Sequence, residues 1–112
     1  MSKISKIDKE YFVENGIRYV FLEGLACRHL SNCYDILQRQ LSLPDYFGRN
    51  LDALEEVLND LDWIGEEKVR IIISNTDELL SKDMKRKTVF LDVLNTCANE
   101  NLEIIYLGSS NS

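Results

Sequence analysis

The chain of 112 residues is 45% hydrophobic and 29% charged, with a formal net charge of −6 and an isoelectric point near 4.7. Its length fits one domain, and the absence of an apolar run of about 18 residues excludes a membrane-spanning helix. Residues 1–6 lead into no apolar segment, so we expect no secretory signal and a cytoplasmic location. The excess of acids argues against direct nucleic-acid binding, which needs cations to neutralise phosphates.

The first predicted element is a β-hairpin. Asn15-Gly16 tolerates the positive φ angles of a type I′ turn, and it lies between two apolar segments at 11–14 and 17–22. The second segment is almost continuously apolar from residue 19 to residue 22, which is typical of a strand covered on both faces. Gly24 ends that strand.

Three helices follow from apolar residues at helical spacing. The first begins at the N-cap Ser31 and ends before Pro44, because proline disfavours helical geometry in the residue before it. The second is capped by Asn50, and its apolar stripe comprises Leu51, Leu54, Leu58 and Leu61. The third covers residues 82–99 and buries Phe90, Val93, Leu94 and Cys97.

Two further strands are predicted at 70–73 and 102–107, from runs rich in isoleucine. Strands that alternate with helices favour a parallel sheet. We therefore predict an α/β fold in which a three-stranded parallel sheet packs with helices and gains an antiparallel N-terminal hairpin strand. In this division, residues 1–16 form an extension with that strand, residues 17–108 form the domain, and residues 109–112 are a polar tail.

The cysteines and the single histidine do not match the sequence pattern of a metal site. Cys27, Cys33 and Cys97 contain no C-x-x-C pair, and only His29 could complete a ligand set. We expect reduced, buried thiols, because free cysteine behaves as a small hydrophobe. His29 is predicted to be a loop or cap residue, and no cofactor is expected.

The net acidity is concentrated in residues 45–67, where eight acids against the single base Arg49 give a formal charge of −7, leaving +1 for the rest of the chain. On the second helix the side chains opposite the leucine stripe are Asp52, Glu55, Glu56 and Asn59. This face is either simply solvated or a negative surface that docks on a positive partner.

Catalysis is the weakest of the functional alternatives. Asp52, Glu55 and Glu56 could hold Mg²⁺. However, the sequence contains no phosphate-binding loop, dinucleotide fingerprint or nucleophile elbow, and no general base accompanies the three acids. We predict that the chain is not an enzyme.

Residues 41–54 read Leu-Ser-Leu-Pro-Asp-Tyr-Phe-Gly-Arg-Asn-Leu-Asp-Ala-Leu, and this segment resembles the barstar family of intracellular inhibitors of barnase-type ribonucleases. The family's pattern there is leucine-proline, an acid, two aromatics, glycine, any residue, and then Asn-Leu-Asp-Ala-Leu. The likeness extends from about residue 18 to residue 107. It implies a small parallel three-stranded sheet with helices, in agreement with the pattern above.

The resemblance also implies a binding surface. In the family, the loop and the following helix plug the enzyme's cationic active site, with carboxylates where RNA phosphates would bind. Tyr46 falls on the family's loop tyrosine, Asp52 on its helix aspartate, and Glu56 on the aspartate that enters the phosphate site. Glu55 stands where the family has an exposed tryptophan, and Thr96 stands where its long helix has a contacting glutamate.

The resemblance thus implies a ribonuclease inhibitor, an immunity protein or antitoxin whose partner is a ribonuclease or ribonuclease toxin domain with a basic active-site cleft. We expect no cofactor, no metal and a monomer when free. The predicted contact residues are Tyr46, Phe47, Gly48, Arg49, Asn50, Asp52, Glu55, Glu56, Asn59, Asp60 and Thr96. The alternative is a non-inhibitory interaction module with the same fold. Glu55 supports this alternative, because it stands where the family has a tryptophan and interface hot spots favour Trp, Tyr and Arg.

Overall fold

Four strands and three α-helices make up the part of the chain that the computed structural model describes, residues 12–44, 47–61 and 64–108. In chain order they are β1 (Phe12–Glu14), β2 (Ile17–Glu23), α1 (Leu30–Gln40), α2 (Leu51–Asn59), β3 (Lys68–Ser74), α3 (Met84–Cys97) and β4 (Leu102–Tyr106). A short 3₁₀ turn, Gly24–Ala26, follows β2. The sheet order is β1-β2-β3-β4. β1 is antiparallel to β2, and β2, β3 and β4 are parallel, which confirms the predicted fold class.

The hairpin forms at the predicted turn. Asn15 and Gly16 have φ angles of 56° and 79°, the positive values that a type I′ turn requires at both central residues. Phe12 lies opposite Tyr19, and their ring centroids are 5.6 Å apart. The antiparallel strand is therefore confirmed for residues 12–14, whereas Tyr11 lies outside the described residues.

The sheet is covered on one face only within the described residues. Along β2, Arg18, Val20 and Leu22 are buried, whereas the alternate side chains are not, and Phe21 is 45% exposed. β3 alternates in the same way. The prediction that β2 is covered on both faces is therefore wrong. A run of apolar residues gives no information about the second face, which depends on where the helices lie.

A side chain closes part of the β2 edge that β1 leaves open. Within the described residues, β1 pairs with β2 as far as Tyr19. Beyond it, Gln40 at the end of α1 makes both backbone hydrogen bonds of Phe21. Its Oε1 accepts from the Phe21 N–H at 2.6 Å, and its Nε2 donates to the Phe21 carbonyl at 3.0 Å. The amide thus replaces the peptide group of a neighbouring strand, and it limits edge-to-edge pairing.

The first helix begins earlier than the sequence predicts. Its N-cap is His29, and the Asn32 side chain accepts a hydrogen bond from the His29 N–H at 3.1 Å. The predicted cap, Ser31, lies inside the first turn of α1. The hydrogen bond from the His29 N–H to the Asn32 side chain fixes the helix start at His29 instead. The expectation that His29 is a loop or cap residue is confirmed. The third helix, Met84–Cys97, is shorter than the predicted 82–99.

The core lies between the helices and the inner face of the sheet. Its largest fully buried side chains include Phe90, Leu22, Leu37, Leu54 and Leu94. All three cysteines are buried and unbridged, as predicted. No helix in the described part of the chain is long and apolar enough to cross a membrane.

Gly24 marks a close backbone approach at the end of β2. A Cβ placed there would lie 2.0 Å from the carbonyl oxygen of Asn75. Any side chain would therefore push apart the chain segments that follow β2 and β3.

Candidate partner-binding surface

Phe47 anchors the loop between α1 and α2 to the hydrophobic core. This side chain is 6% exposed and packs edge-on against the Tyr34 ring, with centroids 5.7 Å apart at 79°. The Phe47 N–H donates to the Pro44 carbonyl at 3.0 Å. Phe47 was predicted to contact the partner, yet its side chain is turned into the core and holds the loop in place. Tyr46 lies outside the described residues.

Arg49 ties the same loop to α1. Its backbone has a φ of 53°, and its guanidinium donates to Asp35 at 2.8 Å, to Gln38 at 3.0 Å and to the Ser31 carbonyl at 3.3 Å. The guanidinium carbon also lies 5.7 Å from the centre of the Tyr34 ring. The one base of the acidic segment is therefore paired with Asp35 of α1 and not with a carboxylate of α2.

The start of α2 is fixed by its cap. Asn50 Oδ1 accepts from the Ala53 N–H at 2.8 Å, as the sequence predicts. Gly48 precedes it on the exposed loop. Asp52 lies in the first turn, where the helix dipole favours a carboxylate.

We call the outward side chains of α2 and its C-cap the acidic surface; they are Asp52, Glu55, Glu56, Asn59 and Asp60. All are exposed except Glu55, which is partly buried. Leu54 and Leu58 face the core on the opposite side. Within the described residues, none of the four carboxylates of the acidic surface makes an ion pair or a side-chain hydrogen bond. In the described residues, these four carboxylates therefore lie on α2 and its C-cap without an ion-pair partner.

α3 packs beside α2. The Cys97 Sγ lies 3.7 Å from the Glu55 carbonyl oxygen and donates to it. Thr96, the adjacent residue, is exposed. The Asn95 side chain is engaged elsewhere, since its Oδ1 accepts from the Tyr106 hydroxyl at 2.8 Å. The structure thus places Thr96 on the helix that supports α2, in the turn that contacts Glu55.

A buried ion pair connects the segments on either side of α2, and sequence reasoning missed it. The Arg18 side chain of β2 is 7% exposed and pairs with Glu66 at 2.7 Å. It also donates to the Gln40 carbonyl at 3.1 Å and to the Ser42 hydroxyl at 3.4 Å. The segment that enters the α1–α2 loop and the segment that precedes β3 are thereby held to one point on the sheet.

Two open grooves flank the acidic surface. The groove at the start of α2 has a volume of about 370 Å³, and Arg86 of α3 lines it together with Tyr34 and Arg49. The groove at the end of α2 has a volume of about 250 Å³ and is lined by Asn59 and Asp60. Neither groove has a local sequence pattern, because each is formed by elements distant along the chain.

No group of three or more His, Cys, Asp or Glu side chains in the described ranges is placed to hold a metal ion. The pKa of the Cys33 thiol is raised by its hydrogen bond with Cys27 and by burial, so this thiol stays protonated. Burial also raises the pKa of the Tyr34 hydroxyl beneath the loop. These groups have structural roles.

Comparison with known protein families identifies a match over most of the chain. The family model described as Barstar (barnase inhibitor) matches residues 17–105. This range runs from the first residue of β2 into β4 and includes the loop and the acidic surface. No curated protein matches the sequence.

Proposed function

The chain belongs to the barstar family, and we propose that it inhibits a ribonuclease by inserting its acidic surface into the cationic active-site cleft of that enzyme. The family is one of barnase inhibitors, and its members are not enzymes. The observation that supports the proposal for this chain is the set of four carboxylates on α2 and its C-cap, which have no ion-pair partner in the described residues and directly follow the loop that carries the family's pattern.

The charge distribution favours rapid and specific association. Residues 45–67 carry a formal charge of −7, in which Glu66 is paired with Arg18 of β2 and Arg49 is paired with Asp35 of α1. A surface of one sign raises the rate of encounter with a cleft of the opposite sign and fixes the docking register. A ribonuclease cleft is cationic because it must hold RNA phosphates.

The mechanism is occupation of the phosphate sites. Asp52 and Glu56 are four residues apart, so they stand one turn apart along the same face of α2. We infer that the Glu56 carboxylate takes the place of an RNA phosphate and that Asp52 pairs with a second cation of the cleft. Phe47 and Asn50 hold the loop and the helix in their bound shape beforehand, which reduces the entropy lost on binding.

A second function is supported by one observation. α2 presents no aromatic side chain on the acidic surface, and Glu55 occupies the position where the family has an exposed tryptophan. Aromatic anchors carry much of the energy of tight interfaces. A barstar-family domain without one would serve as an interaction module for a basic protein, with no inhibition of catalysis.

An RNA-hydrolysis titration separates the two functions. Barnase and other barnase-type ribonucleases are assayed with increasing amounts of the chain, and inhibition of at least one of them at equimolar protein is expected. The double variant Asp52→Asn/Glu56→Gln should lose this inhibition. The control Glu14→Gln/Glu100→Gln removes the same number of charges from exposed positions elsewhere and should retain it. Complex formation without inhibition would favour the interaction module, and equal loss in both double variants would show that only net charge matters.

A further inference from the structure

The outer face of the sheet carries an apolar surface that nothing in the described residues covers. In register across the three parallel strands, Phe21 lies beside Ile72, and Ile72 lies beside Ile105. Phe12 and Tyr19 continue this surface toward the edge strand through their ring contact. Phe12 is 50% exposed and Phe21 is 45% exposed. We call these five side chains the outer sheet face.

The surface is contiguous across the sheet, unlike the scattered exposure that every protein shows. Single exposed apolar residues need no explanation, but contiguous apolar patches rimmed by polar residues mark interaction sites. The outer sheet face brings together residues from all four strands. The helices lie on the opposite side of the sheet, so no described element competes for it.

The charges around the face are of both signs. Arg70 pairs with Glu103 at 2.6 Å and lies 5.3 Å from the centre of the Tyr19 ring, and Lys68 lies 3.6 Å from the same carboxylate. Glu23 flanks the other end of β2. This rim is nearly neutral, unlike the acidic surface, so a second copy of this acidic chain can approach it without strong repulsion. Cations and anions on one rim can also pair with those of an identical rim.

We propose that the outer sheet face is a homodimer interface, at which two copies pack sheet against sheet. Fully burying an aromatic side chain removes about 150–250 Å² from water, so two half-exposed phenylalanines contribute roughly 200 Å² per copy. With the partly buried isoleucines, Tyr19 and the rim, the interface belongs to the small, transient class, which buries less than about 1,200 Å² in total. We therefore infer a weak, reversible dimer.

Such a dimer leaves the partner-binding surface free. α2 belongs to the helix layer on the other side of the sheet, so each copy can still present its carboxylates to a ribonuclease. The inference replaces the sequence-based expectation of a monomer, which had no information about which sheet face is open. It does not depend on the proposed inhibition, since self-association can be measured without a ribonuclease.

Sedimentation velocity from low to several hundred micromolar protein tests the proposal. The natural chain should shift from monomer to dimer, and Phe21→Glu should raise the dimer dissociation constant at least tenfold. Phe12→Glu is a second variant, on the short edge strand, in case Phe21→Glu disturbs folding. Val89→Glu makes the same charge change at an exposed apolar residue of α3 and should dimerise like the natural chain.

Three results would overturn the proposal. One is a natural chain that remains monomeric at the highest concentration. Another is an equal loss of dimer in Phe21→Glu and Val89→Glu, which would place the interface elsewhere or attribute the effect to charge. The third is dimerisation only after deletion of residues 1–10, which would assign the outer sheet face to the chain's own N-terminal segment.

Discussion

Replacement of the buried arginine is the sharpest test of what holds the binding surface in place. Arg18→Met removes the partner of Glu66, whose side chain is 20% exposed, and deletes the donors to Gln40 and Ser42. Breaking a buried ion pair costs about 3–5 kcal/mol, because the remaining charge is left uncompensated. Since water reaches part of Glu66, we expect a loss near the lower end, about 3 kcal/mol.

Urea unfolding followed by circular dichroism measures this loss. With a slope of about 1–3 kcal/mol per molar urea, the midpoint should fall by about 1–3 M. Arg86→Met is the control, because Arg86 pairs with Asp83 at 3.2 Å on an exposed helix start. Exposed pairs contribute about 1 kcal/mol or less. A loss for Arg18→Met no larger than that of the control would refute the buried-pair reasoning.

A double variant separates the contribution of the ion pair from the cost of leaving one buried charge without a partner. Arg18→Met/Glu66→Leu removes both charges and leaves none uncompensated. Apolar replacement of a whole buried pair is often neutral or stabilising. We expect the double variant to regain most of the stability that Arg18→Met loses. No recovery would mean that the hydrogen bonds to the α1–α2 loop, and not the charge pair, hold the structure.

Three further predictions concern the cap, pH and salt. Asn50→Ala should lower the free energy of unfolding by about 1 kcal/mol in urea, whereas Asn50→Asp should retain most of it. The hydrogen bond from Asn75 lowers the pKa of Glu23, so this carboxylate stabilises the fold above its unfolded-state pKa, and the effect is lost as pH falls through the folded-state value. When the free energy of unfolding is measured against pH, Glu23→Gln should reduce the loss of stability on the acid side. In stopped-flow experiments, the association rate with an inhibited ribonuclease should fall steeply as salt is added, and the dissociation rate should change little. The reason is screening, since the Debye length of the solution is about 8 Å at physiological ionic strength. An unchanged association rate would favour a solvated acidic face.

The sequence predicts those features that local chemistry determines. Asn15-Gly16 specifies the hairpin turn, because few residue pairs adopt two positive φ angles. Asn50 specifies the start of α2, because its side chain reaches the N–H three residues later. The leucine stripe then decides which face of that helix points to solvent, and the position of the acidic surface follows.

The remaining features depend on contacts between distant segments. Arg18 in a strand looks like a solvent-facing residue until Glu66 is brought to it. Gln40 gives no sign in the sequence that it closes the edge of β2. The Arg49 side chain folds back on α1, because Asp35 and Gln38 present acceptors at the right distance. None of these pairings has a local pattern.

Asp52, Glu55 and Glu56 test the central claim, because each carries one negative charge but their environments differ. Glu56 is exposed on the acidic surface, whereas Glu55 is partly buried beside α3. If Glu56 enters a phosphate site, its truncation leaves the partner's cations unpaired, which costs about 2–5 kcal/mol. A charge at the rim of an interface contributes about 1 kcal/mol or less, and this is the value that we expect for Glu55. We expect Asp52→Ala and Tyr46→Ala to have effects smaller than that of Glu56→Ala.

The most direct measurement is the inhibition constant of Glu56→Ala and of Glu55→Ala against the same ribonuclease. The account predicts that Glu56→Ala weakens inhibition by about 30-fold or more, through faster dissociation, and that Glu55→Ala weakens it by about fivefold or less. Equal losses for the two variants would contradict the claim that Glu56 occupies a phosphate site.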